Sequence, residues 1–409
     1  MFKTNNRRLL YLAPSLGLTL DQSGGAGTHM RGTILGFQEN GFDVLPIIGG
    51  DVIKNTRTLN ITPTSNSKTS KQNVLRERIK SFIPRRLRLF LRDLRTIWQE
   101  RKLQRLTYNQ IFDYKPDFIY ERSGYLLSYG NRLSKKLKVP HFIETDGCMV
   151  EIISKDYGVF SEYIGNWIEK RKLKNADFVV TMSKMGASQV ARKFSLRAEN
   201  ILVKTLGVEF SNFKYDEASF AQLLEKYSTK NKFVVGFAGA ISTYHGVKYL
   251  IEAASFLHKK NCSEIILMIV GWSKEGERLK KIVEEKNLDN VIFTGRVNKK
   301  DIPNYYKLFT VGVIPNAEEN LYPIKVLEYG VFKLCPIVPD YPVFKDIIVE
   351  GETGYYFQPQ NSLSLSQIIL NLFNNQEGCN QAGQRWHAHV KEYFEWKNTV
   401  RPIIDALSK

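Results

Sequence analysis

Residues 322–330 read YPIKVLEYG and set a cation and a carboxylate three positions apart, just inside an expected helix start. Pro323 suits the first helical position, where its missing N–H is no loss and its fixed φ is already helical, so the spacing predicts a helix from Pro323 onward. Lys325 and Glu328, at i and i+3, then share one face. The unbonded N–H groups and positive dipole end of a first turn attract an anion. A diphosphate would take that terminus and the Lys325 ammonium. Glu328, acceptor-only when ionised, would receive the two hydroxyls of a ribose ring. A surface ion pair is the plainer reading. Lys ahead of Glu is the weaker order for one, however, and Val326, Leu327, Tyr329, Val331 and Phe332 make the segment too apolar to lie mostly in water.

Outward from this segment the chain alternates between strand and helix patterns. Strands are expected at 9–13, 42–48, 118–120, 141–144 and 178–181, then at 233–238, 265–270, 291–293, 311–314 and 336–338, with helical stretches between them. Such a rhythm predicts an α/β protein with two doubly wound Rossmann-like domains. Length agrees, since 409 residues make two or three domains at about 100–200 residues each, and 43% apolar residues suffice for real cores. A connection is expected within 207–231, and segments 56–72 and 215–230 are polar.

Composition narrows the functional classes. Cys148, Cys262, Cys335 and Cys379 are scattered, without a CxxC or a histidine at metal-ligand spacing, which implies a reduced, cytoplasmic setting and no structural metal. A secretory signal is not expected, because Pro14 and Gly17 interrupt the first apolar run and 7–13 reads better as a buried strand. No segment reaches the roughly 18 consecutive apolar residues of a spanning helix. The net charge of +18 is concentrated: between Arg76 and Arg105 lie eleven Lys or Arg against three acids. Leu, Ile, Phe and Trp recur among them at helical spacing, predicting an amphipathic helix with a basic flank that includes Arg85, Arg86 and Arg88. An anionic membrane surface and a merely solvated face both fit that pattern. Nucleic acid does not, for lack of any accompanying recognition motif.

Loops at the ends of parallel strands are where ligands bind. Residues 23–29, SGGAGTH, bring Gly25 and Gly27 to a helix start, where backbone can approach an anion or sugar. The run is no P-loop, and the gap from Ala13 to Gly24 is too long for the tight first turn of a dinucleotide fold. Residues 239–246, GAISTYHG, form a second such loop, with Gly239, Gly246 and a His245 suited to donate to a phosphate oxygen. Gly271 and the Arg296-Val297 pair close two further strands at the same sheet edge.

With these loops the chain resembles the retaining glycosyltransferases of family 4, whose fold is GT-B. The resemblance runs through GG-x-G-x-H at 24–29, KPDFIYER at 115–122, VPHFIETDG at 139–147, ADFVVTMSKMGASQV at 176–190 and GVEFSNF at 207–213. It continues in YHGVKYLIEAA, IVGWSKEGERLKK, VIFTGRVNKKDIPNYY, YPIKVLEYG and GETGYYF. It implies two Rossmann-like domains facing across a cleft, an acceptor-side domain at 1–206 rejoined by a C-terminal helix at 386–409, and a donor-binding domain at 207–385. By the same likeness Lys325 holds the donor diphosphate, Glu328 the ribose, and Ile324 and Asn320 adjoin them. Asn320 stands where many relatives carry an acid. The catalytic-loop histidine of the family is replaced by Glu144-Thr145-Asp146-Gly147, leaving Glu144 or Asp146 to support an oxocarbenium-like sugar.

The implied reaction is transfer of a sugar from a nucleotide-diphosphate sugar to a hydroxyl of a glycan or lipid-linked acceptor, with retention, as in envelope polysaccharide assembly. No cofactor or metal is expected, in keeping with the absence of any Asp-x-Asp pair. The alternatives are an inverting GT-B transferase or nucleotide-sugar epimerase, and a noncatalytic GT-B module binding a partner or lipid surface.

Overall fold

The computed structural model describes residues 7–22, 24–53, 84–317 and 323–408. The polar segment 56–72, residues 76–83 of the basic stretch, and Glu318, Glu319 and Asn320 lie outside the described residues. The chain divides into two compact units, residues 1–206 with 396–409, and residues 207–395.

In the first unit the strands are β1 (Arg8–Ala13), β2 (Asp43–Ile48), β3 (Asp51–Val52), β4 (Phe118–Arg122), β5 (His141–Thr145), β6 (Phe178–Thr181) and β7 (Ile201–Val203). They pair in the order β3-β2-β1-β4-β5-β6-β7, parallel except for the antiparallel β2–β3 edge. Chain order reverses between β1 and β4, so the carboxyl ends of these strands border a switch point. Leu9, Tyr11 and Ala13 meet Phe37, Phe118, Tyr120 and Phe142 in one core, while Leu10, Leu12 and Ile119 pack with Leu103, Ile111 and Leu133 on the opposite face. Burial on both faces is why β1 reads as an unbroken apolar run.

The second unit contains β8 (Phe233–Ala238), β9 (Ile265–Val270), β10 (Val291–Gly295), β11 (Val311–Val313), β12 (Cys335–Pro339) and β13 (Tyr355–Phe357). All pair in parallel, in the order β10-β9-β8-β11-β12-β13, with the reversal between β8 and β11. Two glycines let aromatic rings lie directly on these central strands. A Cβ on Gly236 would stand 2.0 Å from the Phe309 ring, and one on Gly312 would stand 2.3 Å from the Tyr329 ring.

Several expected boundaries shift. The helix after the first glycine loop takes Gly25 and Gly27 into its first turn and runs from Gly25 to Glu39. The helix carrying Lys325 spans Lys325–Val331 and is only seven residues long. Pro323 precedes it, its carbonyl accepting from Val326 N at 3.1 Å in a tight entry turn. β3, β7 and β13, of two or three residues each, were not expected from periodicity, being too short to show one.

The return segment also differs. Residues 386–395 belong to the second unit, because the helix Gln376–Tyr393 packs its fully buried Trp386 on the Lys325 helix and donates from Nε1 to the Val326 carbonyl at 3.0 Å. The first unit resumes at Trp396. Two short helices, Trp396–Thr399 and Arg401–Ala406, stand in place of one long helix, with Pro402 in the first turn of the second. Trp396 is 2% exposed and fills a groove on Gly25–Glu39, where a Cβ at Gly32 would lie 2.0 Å from its ring.

Candidate active site

In the second unit the switch point brings two chain segments together. β8 ends at Ala238 and turns at Gly239, while β11 leads through 314–324 to the Lys325 helix. The rotation of that helix is set by its buried side. The Tyr329 hydroxyl donates to the Val313 carbonyl at 2.9 Å, and Val326 and Leu327 are fully buried. Lys325 and Glu328 consequently lie on the partly exposed side.

The Lys325 ammonium stands 4.4 Å above the Phe237 ring and occupies the space beside Gly239, whose Cβ would be 2.6 Å from Nζ. Gly239 has φ +147°, a conformation that L side chains rarely adopt, so backbone geometry favours glycine here, and a side chain would also displace the ammonium. Burial lowers the Lys325 pKa from 10.5 to about 8, with Glu328 opposing the shift. Glu328 accepts from the Tyr306 hydroxyl at 2.5 Å. Burial raises its carboxyl above the usual range, against the pull of Tyr306, Lys325 and Lys299.

The His245 ring is 5.9 Å from Phe237, and its Nδ1 meets Ser242 Oγ at 2.8 Å. Burial, and secondarily the Lys325 charge, push its pKa down to about 4. His245 is thus neutral at physiological pH and adds no positive charge to the site. With Nδ1 accepting from Ser242, Nε2 carries the proton and can donate to an oxygen. Gly246 starts the helix Val247–Lys259, and a Cβ there would meet Asn316 Cβ at 2.5 Å. Asn316 Nδ2 donates to the Tyr244 carbonyl at 2.8 Å, linking the loop after β11 to the loop after β8.

Gly271, at the end of β9, approaches so closely that its Cβ would stand 2.1 Å from the Gly239 carbonyl oxygen. Gly271 also bridges to Gly295 at the end of β10. Gly239, His245, Gly246, Gly271 and Lys325 therefore converge on one sheet edge. Glu328 adjoins them one turn along, with Ile324 just before the helix. Arg296 and Val297 lie farther off, beyond edge strand β10, with Arg296 exposed.

The first unit places Gly25 and Gly27 in the first turn of a helix, after Gly24 at φ +94°. Gly27 has no room for a side chain, since its Cβ would be 2.1 Å from the Gln22 carbonyl. Glu144, at the carboxyl end of β5, is fully buried and engaged by three donors. His29 Nε2 is 2.7 Å from Oε1, Lys204 Nζ is 3.3 Å from Oε2, and the Tyr120 hydroxyl donates to Oε2. Although burial opposes its charge, His29, Lys204 and Arg122 hold its carboxyl well below the usual range. Burial lowers the His29 pKa as well. Its Nδ1 is buried with no partner among the described residues, which suits a neutral ring with the proton on Nε2.

Glu144 is thus enclosed as an anion, whereas Asp146 is accessible. The Asp146 side chain is 31% exposed and pairs with Arg122 Nη2 at 3.1 Å. Asp146 Oδ1 and Arg122 Nη1 have no hydrogen-bond partner among the described residues. Of the two carboxylates expected to face a sugar, only Asp146 is partly exposed, and its buried Oδ1 lacks a partner among the described residues. Arg85, Arg86 and Arg88 open the helix Arg85–Tyr114, and all three are exposed.

Residues 220–387 match the family of glycosyl transferases group 1. An uncharacterized glycosyltransferase of Methanocaldococcus jannaschii is 24% identical over 65% of this chain and 67% of its own length. The O-antigen chain mannosyltransferase C of Escherichia coli is 25% identical over 58% of this chain and 61% of its own. In fold, the chain resembles Anabaena HepE, solved in complex with UDP, with a TM-score of 0.67 and 15% identity over 98% of this chain and 99% of that one. The chain has a GT-B fold, and the stretch that holds Lys325 and Glu328 is the one similar to group 1 glycosyl transferases.

The same stretch contains residues whose role the sequence did not reveal. Tyr306 binds Glu328, Phe237 lies beneath Lys325, and Asn316 ties the two switch-point loops. Each looks like an ordinary core or loop residue in sequence, because its contacts cross 22 to 88 positions. In the first unit His29 stood in a recognised motif without a role, and Lys204 carried no signal beyond being a lysine between strand and loop.

Proposed function

We propose that this protein is a retaining, metal-independent glycosyltransferase of family 4 that moves a hexose from a nucleoside-diphosphate sugar to a hydroxyl of a glycan or lipid-linked acceptor in polysaccharide biosynthesis. One observation carries the reading: a half-buried ammonium, Lys325, packed beside a glycine-only turn at the switch point of a parallel sheet, with the Glu328 carboxylate one turn along its helix. A dianionic diphosphate is the ligand such an ammonium favours, and glycine backbone N–H groups admit its oxygens closely. Seven residues make a weak helix dipole, so the diphosphate relies on Lys325, on the Gly239 turn and on the His245 Nε2–H. Glu328, oriented by Tyr306, takes the ribose hydroxyls. Relatives point the same way, one being an O-antigen mannosyltransferase and one a structure holding UDP.

In the reaction the bond from the anomeric carbon to the leaving phosphate oxygen breaks and charge grows on the diphosphate. Lys325 and the neutral His245 meet that charge without reorganisation. The acceptor oxygen bonds to the anomeric carbon from the face that the phosphate leaves, and the departing phosphate oxygen takes the acceptor proton. Within the first unit, Asp146 rather than the enclosed Glu144 is the partly exposed carboxylate, and so that unit's candidate for a sugar hydroxyl.

A panel of nucleotide sugars tested by thermal shift identifies the donor. A ligand at about one hundred times its dissociation constant adds about 2.7 kcal/mol of stability. The anomer of the product, read by proton NMR, tests retention. The reading fails if no nucleotide diphosphate stabilises the protein, or if Glu328→Ala binds it as well as the natural protein does.

A further inference from the structure

The first half of the helix Arg85–Tyr114 has its polarity reversed. Before Leu103 its buried side chains are two acids, Asp93 and Glu100. Leu87, Leu91, Leu94 and Trp98 are meanwhile 47%, 48%, 47% and 64% exposed. Their spacing of four, three and four residues puts them on one stripe. The helix cannot roll to hide that stripe. Asp93 Oδ2 accepts from the Tyr125 hydroxyl at 2.9 Å and from Phe160 N at 3.2 Å, and Glu100 accepts from Ser128 N at 2.5 Å and from Arg132. Rolling would leave two buried carboxylates unpaired.

A second apolar group continues the stripe. The helices Met149–Tyr157 and Glu162–Lys174 meet at a tip where Tyr157, Phe160, Tyr163, Ile164 and Trp167 are 44% to 83% exposed. The Phe90 and Phe160 rings lie 4.9 Å apart, and Gly158 abuts Leu89 and Arg85, so helix and tip form one face. Residues 85–105 hold eight Lys or Arg against the two inward acids, leaving Arg86, Arg88 and Arg95 exposed beside the leucines. Asp156 and Glu162 are the acids on the tip, and Glu162 accepts from the Ser154 hydroxyl.

We propose that this face docks on an anionic lipid bilayer, with Leu91, Leu94, Trp98 and the aromatic tip in the headgroup layer and Arg86, Arg88 and Arg95 against lipid phosphates. Exposed leucines with amphipathic aromatics lose water contact at such an interface, and the arginines gain from its negative potential. A second copy meeting the same face would oppose the same arginines, which disfavours self-association. Nucleic acid would leave the leucine stripe unused. The inference stands apart from the proposed reaction, and nucleotide binding serves only to verify that variants are folded.

The test is cosedimentation of the full-length protein with phosphatidylcholine vesicles with and without phosphatidylserine. Binding is expected to require phosphatidylserine, to weaken with salt, and to fall on the order of a hundredfold in Arg86→Gln/Arg88→Gln/Arg95→Gln. Brominated lipids are expected to quench tryptophan fluorescence, less so in Trp98→Gln. Should the triple variant unfold, Arg88→Gln alone is expected to weaken binding about fivefold. The proposal is overturned if the natural protein ignores phosphatidylserine, or if folded arginine variants bind unchanged. It is equally overturned if the protein is a dimer that Leu91→Glu dissociates and that binds no vesicles.

Discussion

Replacing Lys325 with methionine separates the demands of folding from those of donor binding. Burial lowers the Lys325 pKa from 10.5 to about 8. At about 1.4 kcal/mol per tenfold change in proton affinity, holding the charge at pH 7 costs the folded state up to about 3 kcal/mol, less what partial exposure relieves. Methionine is of similar length and can keep the contact with Phe237, so Lys325→Met is expected to stabilise the ligand-free protein by about 1–3 kcal/mol at pH 7. The same change removes the ammonium from the diphosphate, and affinity for a nucleoside diphosphate is expected to fall about ten- to a hundredfold, a charged hydrogen bond being worth about 1.5–3 kcal/mol. The folded-state pKa is below the unfolded one, so between pH 8 and 10.5 the unfolded chain binds more protons and the natural protein gains stability as pH rises. The advantage of the variant therefore shrinks across that window. Denaturant midpoints at pH 7 and pH 10, with calorimetric titration of UDP, give the answer. A variant less stable than the natural protein at pH 7, or one that keeps its UDP affinity, refutes the reasoning.

Other expectations follow from the same geometry. Donor affinity should be nearly constant below pH 8 and weaken above it by up to about tenfold per pH unit, because the diphosphate needs the protonated Lys325; titration calorimetry from pH 7 to 9.5 reads the slope. Gly239→Ala sets a Cβ 2.6 Å from Lys325 Nζ in a strained conformation, so UDP binding should be lost at a folding cost of about 1–3 kcal/mol, measured by chemical denaturation. In Glu328→Gln the preference for UDP over 2′-deoxy-UDP should largely disappear, and competition binding would expose a preserved preference. Glu144→Gln leaves Lys204 buried without its anion and should destabilise the protein by about 3–5 kcal/mol. With its folded pKa depressed, Glu144 contributes stability that is present above the unfolded value of 4.5 and lost as pH falls through the folded one, so an acid titration of the two proteins should converge.

Sequence alone determined what depends on near neighbours. Apolar runs at β1, β8 and β9 are buried on both faces and so stand out as unbroken apolar segments without tertiary help, and Lys325 and Glu328 are neighbours on any helix. The likeness in ordered motifs reached the GT-B architecture for the same reason: each motif is a local strand end with its loop. What the tertiary structure decided is how distant positions are joined. Nothing local distinguishes Glu144 from Asp146, yet three side chains from 24 to 115 positions away enclose the first, while the second stays partly exposed. Trp386 and Trp396 look alike in sequence, and only the grooves they fill assign them to different units. The leucines of the basic helix form an apolar stripe by period, but only the fold decided its direction: Asp93 and Glu100 found their hydrogen-bond partners on the inner side and turned the stripe outward. A buried carboxylate without a partner costs more than an exposed leucine, and which side finds the partners is a property of the folded chain.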